Sequence, residues 1–174
     1  MYLTFDDGPI PEVTPKVLDI LRHYDVKATF FMVGENINKH PEVFDMVIKD
    51  GHTVGNHTYN HLKGWRCSTE EYLANVKLFP KKTNLFRPPY GKATLWQRRA
   101  LVQQGYTLIY WDILTRDYEA TRTPEAMLAQ IKSNVRHGSI INFHDSLKSN
   151  ERMLAVLPPM IEFLKTEGYA FETI

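Results

Sequence analysis

Residues 1–34, MYLTFDDGPIPEVTPKVLDILRHYDVKATFFMVG, contain the pattern that decides the fold. A strand-like run over 2–6 leads into a helix that begins at Thr14-Pro15 and carries apolar residues three and four positions apart. A second strand-like run, 26–33, follows this helix. A strand, a helix and a strand in this order predict a parallel βαβ unit.

The same alternation continues to the C-terminus. The predicted strands span 2–6, 26–33, 52–56, 84–88, 106–111, 139–144 and 169–173. Six helices are predicted between them; the third begins with the capping-box spacing of Ser68 and Glu71, and Pro158-Pro159 predicts a kink or restart in the last. Over 174 residues this indicates one α/β domain, 1–174, with a shortened or incomplete barrel. An open doubly wound sheet is the alternative.

Composition excludes several classes of protein. The chain has 21 basic and 20 acidic residues, so its net charge of +1 gives no overall attraction to nucleic acid or anionic membranes. No apolar run reaches the roughly 18 residues of a membrane span. The single Cys67 excludes an internal disulfide, and no phosphate-binding glycine loop or nucleophilic-serine motif is present. No export signal precedes the first strand, so the chain either begins there or follows a leader or domain that was removed.

Polar side chains follow five of the predicted strands. In chain order the clusters are Asp6-Asp7-Gly8-Pro9, His57-Thr58-Tyr59-Asn60-His61, Arg87-Pro88-Pro89-Tyr90-Gly91, Asp112 with Asp117, and His144-Asp145. The carboxyl ends of parallel strands form the rim where α/β barrels hold their active sites. Their joint placement therefore predicts an active site at this rim.

The residue types in these clusters indicate a hydrolase. One aspartate and two histidines form a three-ligand set that leaves a position open for water, as in catalytic zinc sites. A second aspartate can act as general base and a third histidine as general acid. A divalent ion polarises the substrate carbonyl and lowers the pKa of water, so hydrolysis of an amide or ester is predicted.

Other conspicuous side chains receive a structural interpretation. His23, His40, His52 and His137 are interpreted as capping, exposed or structural residues, and Cys67 as inert. The tryptophans Trp65, Trp96 and Trp111 are expected in the core or in the wall of a groove. Trp111, at the end of the fifth predicted strand, is the one expected to contact substrate.

The five clusters occur in the order and spacing of a known family. From residue 3 to its C-terminus the chain resembles the polysaccharide deacetylases of the NodB-homology group, carbohydrate esterase family 4. The resemblance implies a distorted, incomplete (β/α) barrel with about seven parallel strands and helices outside. It also implies one divalent transition metal ion, zinc or alternatively cobalt.

The resemblance implies a role for each matching residue. The implied metal ligands are Asp7, His57 and His61; the implied catalytic residues are Asp6 as base, His144 as acid, Arg87 holding Asp6, Asp117 orienting His144, and Tyr90, whose backbone N–H stabilises the oxyanion. Substrate contacts are expected from Pro89, Tyr90, Trp111, Tyr118 and Asn142. Two of these depart from the family pattern: Tyr118 replaces a usual tryptophan, and Asn142 replaces an aliphatic residue of the acetyl-methyl pocket.

The resemblance implies removal of N-acetyl groups from N-acetylglucosamine units of an acetylated polysaccharide or oligosaccharide. Peptidoglycan, chitin and poly-N-acetylglucosamine remain open as substrates. O-deacetylation of acetylated xylan is the alternative within hydrolases, and a non-catalytic glycan-binding domain is the alternative outside them. The family also suggests action at the cell envelope or outside the cell. Nothing in the sequence indicates the oligomeric state.

Overall fold

A computed structural model describes all 174 residues. The chain forms seven strands and seven α-helices, with two short 3-10 turns at Gly64–Arg66 and Pro89–Gly91. In order, the elements are β1 (Tyr2–Asp6), α1 (Thr14–His23), β2 (Thr29–Met32), α2 (Gly34–Lys39), α3 (Pro41–Lys49), β3 (Thr53–Asn56), α4 (Thr69–Lys77), β4 (Leu85–Phe86), α5 (Leu95–Gln103), β5 (Thr107–Leu108), β6 (Ile113–Leu114), α6 (Pro124–Asn134), β7 (Ile140–His144) and α7 (Asn150–Thr166).

The strands form one sheet in the order β5-β4-β3-β2-β1-β7-β6, and every neighbouring pair is parallel. β1 lies between β2 and β7, and Asp6 pairs with His144 in the β1–β7 register. The predicted α/β architecture is therefore confirmed.

A side-chain contact shows that the sheet is curled. Arg87 follows β4, and its Nη1 lies 2.6 Å from Oδ1 of Asn142 on β7. β4 and β7 are four strand spacings apart in the sheet order, which is about 19 Å in a flat sheet. Since an arginine side chain cannot span that distance, the sheet closes into an incomplete barrel around Arg87. The open doubly wound alternative is wrong.

The seventh strand is not the one that the sequence predicts. The segment 169–173 contributes only an isolated bridge between Tyr2 and Glu172, whereas the predicted strand 106–111 pairs only over Thr107–Leu108. The carbonyl oxygens of Ile109 and Tyr110 accept hydrogen bonds from Arg87 instead of continuing the ladder. The chain then re-enters the sheet as β6, which the sequence did not predict.

Two helices also differ from expectation. The six-residue α2 was not predicted, because it buries only Gly34 and Ile37 and so carries no apolar stripe. The helix α7 continues through Pro158 and Pro159, so the predicted restart is wrong. Pro158 is half-buried and Pro159 is exposed, so both lie away from the buried face of the helix. The carbonyl groups one turn earlier, which lose their N–H partners at these prolines, can be hydrated there. The capping box of Ser68 and Glu71 is confirmed.

The main core lies between the sheet and the helices outside it. Phe5, Phe30 and Phe143 stack there, with ring centroids 4.9 Å and 6.0 Å from the Phe5 ring. Because successive strand residues point to opposite faces, the neighbours of Phe5 and Phe143 in sequence point into the barrel. None of the helices has the length and apolarity that a membrane span requires.

Candidate active site

Strand alternation places four polar side chains inside the barrel. Thr4 and Asp6 alternate with Phe5 on β1, and Asn142 and His144 alternate with Phe143 on β7. The register pairs Thr4 with Asn142 and Asp6 with His144. Two adjacent strands therefore present two layers of polar groups, with the Asp6–His144 layer at the carboxyl-end rim.

Arg87 connects these layers from the opposite wall. Its Nη1 donates to Oδ1 of Asp6 at 2.8 Å, and it also lies 2.9 Å from the Thr4 hydroxyl. The guanidinium packs over the Phe31 ring at 4.0 Å and is fully buried. Burial, the largest single influence, would raise the pKa of the Asp6 carboxyl, but the charge and hydrogen bond of Arg87, together with the nearby His57 and His144, outweigh it and hold that pKa below its usual value. Asp6 is therefore an anion with fixed orientation.

A second group of side chains brings together one carboxylate and two imidazoles. Asp7, His57 and His61 place their ligand atoms within 4.8 Å of one another. Oδ1 of Asp7 lies 3.3 Å from Nε2 of His61 and 3.8 Å from Nε2 of His57. The backbone carbonyl of Arg87 lies 2.7 Å from Nδ1 of His57. A carbonyl can only accept, so Nδ1 carries the hydrogen and Nε2 stays free.

These three residues fit a divalent metal ion. Oδ1 of Asp7 is buried without a hydrogen-bond partner, and burial raises the pKa of this carboxyl above its usual value. Burial also lowers the pKa of both histidines to about 4, so they are neutral and able to bind metal. Donors around a tetrahedral ion at the usual ligand distances lie about 3.3 Å apart, close to the observed separations.

His144 is paired with a buried carboxylate. Nδ1 of His144 lies 2.8 Å from Oδ1 of Asp117, and the backbone N–H of His144 donates to Oδ2 at 2.8 Å. Burial on its own would lower the pKa of His144, but the hydrogen bond and charge of Asp117, with the charges of Asp6 and Asp7, outweigh it and raise the pKa to about 9. Nδ1–H donates to Asp117. When the imidazole is protonated, the proton on Nε2 is therefore the one available to a substrate.

Exposed aromatic rings flank the site on two sides. On one side, Tyr90 lies 4.7 Å from the His61 ring, and Trp65 meets Tyr90 edge to face at 5.3 Å. On the other, Tyr118 meets His144 edge to face at 5.0 Å. All three rings are exposed. Trp65, which the sequence could place only in the core or a groove wall, therefore belongs to the rim.

The remaining expected substrate residues lie deeper. Pro89 is buried in the 3-10 turn before Tyr90. Trp111 is half-buried, 5.6 Å from the Arg87 guanidinium, and its ring lies so close to Gly91 that a Cβ there would approach to 2.6 Å. Asn142 is fully buried, with its amide hydrogen-bonded to protein groups.

Sequence reasoning gave no role to Asp145 and misplaced Asp112. Asp145 accepts from the backbone N–H of Gly8 at 2.9 Å and from Thr14 at 2.7 Å, so it holds the loop that carries Asp7. Its position directly after His144 was the available signal.

Asp112 accepts from the backbone N–H of Ile140, the first residue of β7, and therefore lies at the end of β7 opposite His144. Its expected place at the carboxyl-end rim is wrong.

Comparisons with known proteins agree with this geometry. Residues 1–109 match the family model described as polysaccharide deacetylase. The chain belongs to the polysaccharide deacetylase family. It is 36% identical to a peptidoglycan-N-acetylglucosamine deacetylase of Bacillus cereus, over 99% of this chain and 84% of the relative. It is 31% identical to the chitooligosaccharide deacetylase of Azorhizobium caulinodans, over 100% of this chain and 92% of the relative.

Solved structures show the same fold. The Bc1960 peptidoglycan N-acetylglucosamine deacetylase superimposes with a TM-score of 0.91 at 31% identity, covering 99% of this chain and 85% of that one. The Xyl-CE4 domain of a multidomain xylanase from the hindgut metagenome of Trinervitermes trinervoides gives 0.85 at 30% identity, covering 99% and 86%. A family pseudoenzyme from Bacillus anthracis gives 0.86 at 25% identity, covering 99% and 63%. The polysaccharide deacetylase assignment made from the sequence is confirmed.

Proposed function

We propose that this polysaccharide deacetylase removes N-acetyl groups from N-acetylglucosamine units of a glycan with the help of one bound divalent metal ion. The observation that carries the proposal is the unpartnered, buried Oδ1 of Asp7 within reach of two neutral imidazoles, His57 and His61. A cation held by these three residues would supply the partner that this carboxylate oxygen lacks. We propose zinc, with cobalt as the alternative.

Asp7, His57 and His61 would hold the ion, which supplies Lewis acidity to the acetyl carbonyl and to water. Asp6, kept anionic by Arg87, accepts a proton from the attacking water. His144, kept cationic by Asp117, donates the proton on Nε2 to the leaving amine nitrogen. The two groups have opposite protonation states at neutral pH, which is the arrangement that base and acid roles require.

The remaining site residues are proposed to bind and orient the substrate. The backbone N–H of Tyr90 stabilises the oxyanion, a contribution of about 3–4 kcal/mol for a preorganised donor of this kind. The exposed rings of Tyr90, beside His61, and of Tyr118, beside His144, provide apolar faces on which sugar rings can pack. Pro89 and Trp111 support this surface from below.

The proposed substrate is peptidoglycan or an N-acetylglucosamine oligomer, because relatives at 36% and 31% identity are named for these activities. We also propose that residues 1–174 form a single catalytic domain acting at the cell envelope or outside the cell. The principal alternative is an O-acetyl esterase on xylan, which the likeness to the domain of a xylanase supports. A non-catalytic glycan-binding domain is disfavoured, since every residue with a proposed proton or metal role is present.

The test is acetate release from chitotetraose and from peptidoglycan by metal-stripped protein, with and without added zinc or cobalt. We expect release that requires the metal and is lost in Asp6→Asn. Asp112→Asn is the matched control, because its carboxylate lies at the other end of β7 and should leave the rate unchanged. Release only from acetylated xylan would establish the esterase alternative, and equal release by parent and Asp6→Asn would contradict the enzyme assignment.

A further inference from the structure

The side-chain amide of Asn142 lies between two groups whose hydrogen-bonding roles are fixed. Its Oδ1 is 2.6 Å from Nη1 of Arg87, which can only donate. Its Nδ2 is 2.9 Å from Oδ2 of Asp6, which as an anion can only accept. The Thr4 hydroxyl also lies 2.8 Å from Oδ1 of Asn142. A reversed amide would place donor against donor and acceptor against acceptor, so the neighbours determine its orientation.

These contacts close a ring of three side chains. Arg87 donates to Oδ1 of Asp6 and to Oδ1 of Asn142, and Asn142 donates to Oδ2 of Asp6. The carboxylate of Asp6 is therefore held at both oxygens by different residues. A carboxylate held at one oxygen turns readily about its last side-chain bond, since that torsion is broad. Two donors on two oxygens remove this freedom.

We infer that Asn142 is a positioning residue that fixes the rotation of the Asp6 carboxylate and does not contact the acyl group. The inference rests on the proposed function, because it requires Asp6 to act as the base. It is supported by the complete burial of Asn142 and by the use of both ends of its amide within the ring. An aliphatic side chain at this position, which the family resemblance leads one to expect, could make neither bond.

Two substitutions of Asn142 separate hydrogen bonding from shape. Asn142→Leu fills the space without a donor or acceptor. Asn142→Asp keeps the shape but turns the donor that faces Asp6 into a carboxylate oxygen, and two carboxylates at this distance cannot both be ionised. With chitotetraose at pH 8, we expect kcat to fall about ten- to a hundredfold in Asn142→Leu and further in Asn142→Asp. KM should stay within about twofold of the parent value in Asn142→Leu, because the buried side chain does not reach substrate.

Two other roles for Asn142 give different results. If Asn142 only fills space, Asn142→Leu retains the parent kcat, which would overturn the inference. If Asn142 lines the acyl pocket, Asn142→Leu changes the relative kcat/KM for N-formyl, N-acetyl and N-propionyl oligomers, which would also overturn it. Zinc affinity should be the same in the parent and in Asn142→Leu, because Asn142 contacts none of the proposed ligands.

A spectroscopic readout tests the ring without relying on turnover. In ¹⁵N NMR spectra, the side-chain amide of Asn142, assigned by its loss in Asn142→Leu, should exchange slowly with solvent in the parent and faster in Asp6→Ala. Fast exchange in the parent would contradict the inference alone. Slow exchange in a parent that releases no acetate would contradict the proposed function alone.

Discussion

Replacing Asp117 by asparagine tests the assignment of His144 as the acid. Asp117 accepts from both Nδ1–H and the backbone N–H of His144, each at 2.8 Å. An asparagine has one acceptor oxygen, so it can keep only one of these two hydrogen bonds. It also removes the negative charge beside the imidazole, while changing neither the size nor the shape of the side chain.

The expected effect follows from the pKa of His144. Burial would lower this pKa, but the hydrogen bond and charge of Asp117, with smaller contributions from the charges of Asp6 and Asp7, raise it to about 9. Without the charge we expect a pKa at or below the ordinary value of about 6.5. The active form carries the proton, so the rate falls as pH rises through the pKa. At pH 8 the protonated fraction drops from about 90% to about 3%, which is about a 30-fold loss in kcat/KM, against less than twofold at pH 6.

The measurement is kcat/KM for chitotetraose between pH 5 and 10 in the parent and in Asp117→Asn. A bound cation lowers the pKa of His144 in both proteins, so the displacement of the alkaline limb is the quantity to compare. We expect this limb to move to lower pH in the variant while the acid limb stays in place. An alkaline limb that coincides in the two proteins would refute the role of His144 as the acid.

Three further predictions concern the metal ligands, the buried arginine and the first loop. Zinc at a hundred times its Kd should raise the unfolding free energy by about 2.7 kcal/mol, and Asp7→Ala should abolish the corresponding shift in Tm; a shift that persists would exclude this ligand set. Arg87→Met should cost about 3–5 kcal/mol in urea denaturation, because it leaves a buried carboxylate unpaired. Arg22→Met removes two surface ion pairs, with Asp19 and Asp50, and should cost clearly less; similar costs would contradict this account. Gly8→Ala should lower Tm in calorimetry, since its Cβ would lie 2.1 Å from the Asp145 carboxylate. Adding Asp145→Ala should recover part of the lost Tm. No recovery would show that the strain does not come from this contact.

Elements with a strong local signal were predictable. β1 and β7 lie within one residue of their predicted bounds, because apolar residues that face the helices, such as Leu3 and Phe5 or Ile141 and Phe143, alternate with residues that point into the barrel. The start of α4 followed from the hydrogen bonds of its own capping box. Helix α2 and strand β6 carry no such signal. Their six and two residues are ordered by the elements around them.

The division between β5 and β6 shows what local sequence does not contain. Residues 106–111 have the composition of one continuous strand. Arg87, more than twenty positions earlier, takes the carbonyl oxygens of Ile109 and Tyr110 and so ends the ladder after Leu108. The competing donor follows the neighbouring strand β4, and only the pairing of β4 with β5 brings it beside these carbonyl groups. The misplacement of Asp112 has the same origin, since it follows from where β5 ends.

The sequence by itself determined the alternation of strands and helices, the family, and the residue types that gather at one rim. The alternation and the shared rim follow from local periodicity and from the rule that parallel strands end on the same side, whereas the family follows from the resemblance of the five clusters in order and spacing. Only the tertiary structure decided which of these residues share hydrogen bonds: that Asp145 holds the loop of Asp7, and that Asn142 binds Asp6 and Arg87 together. Strand alternation fixes the face to which a side chain points, but its neighbours across a barrel depend on how far the sheet curls, and that curvature is set by the packing of the whole chain.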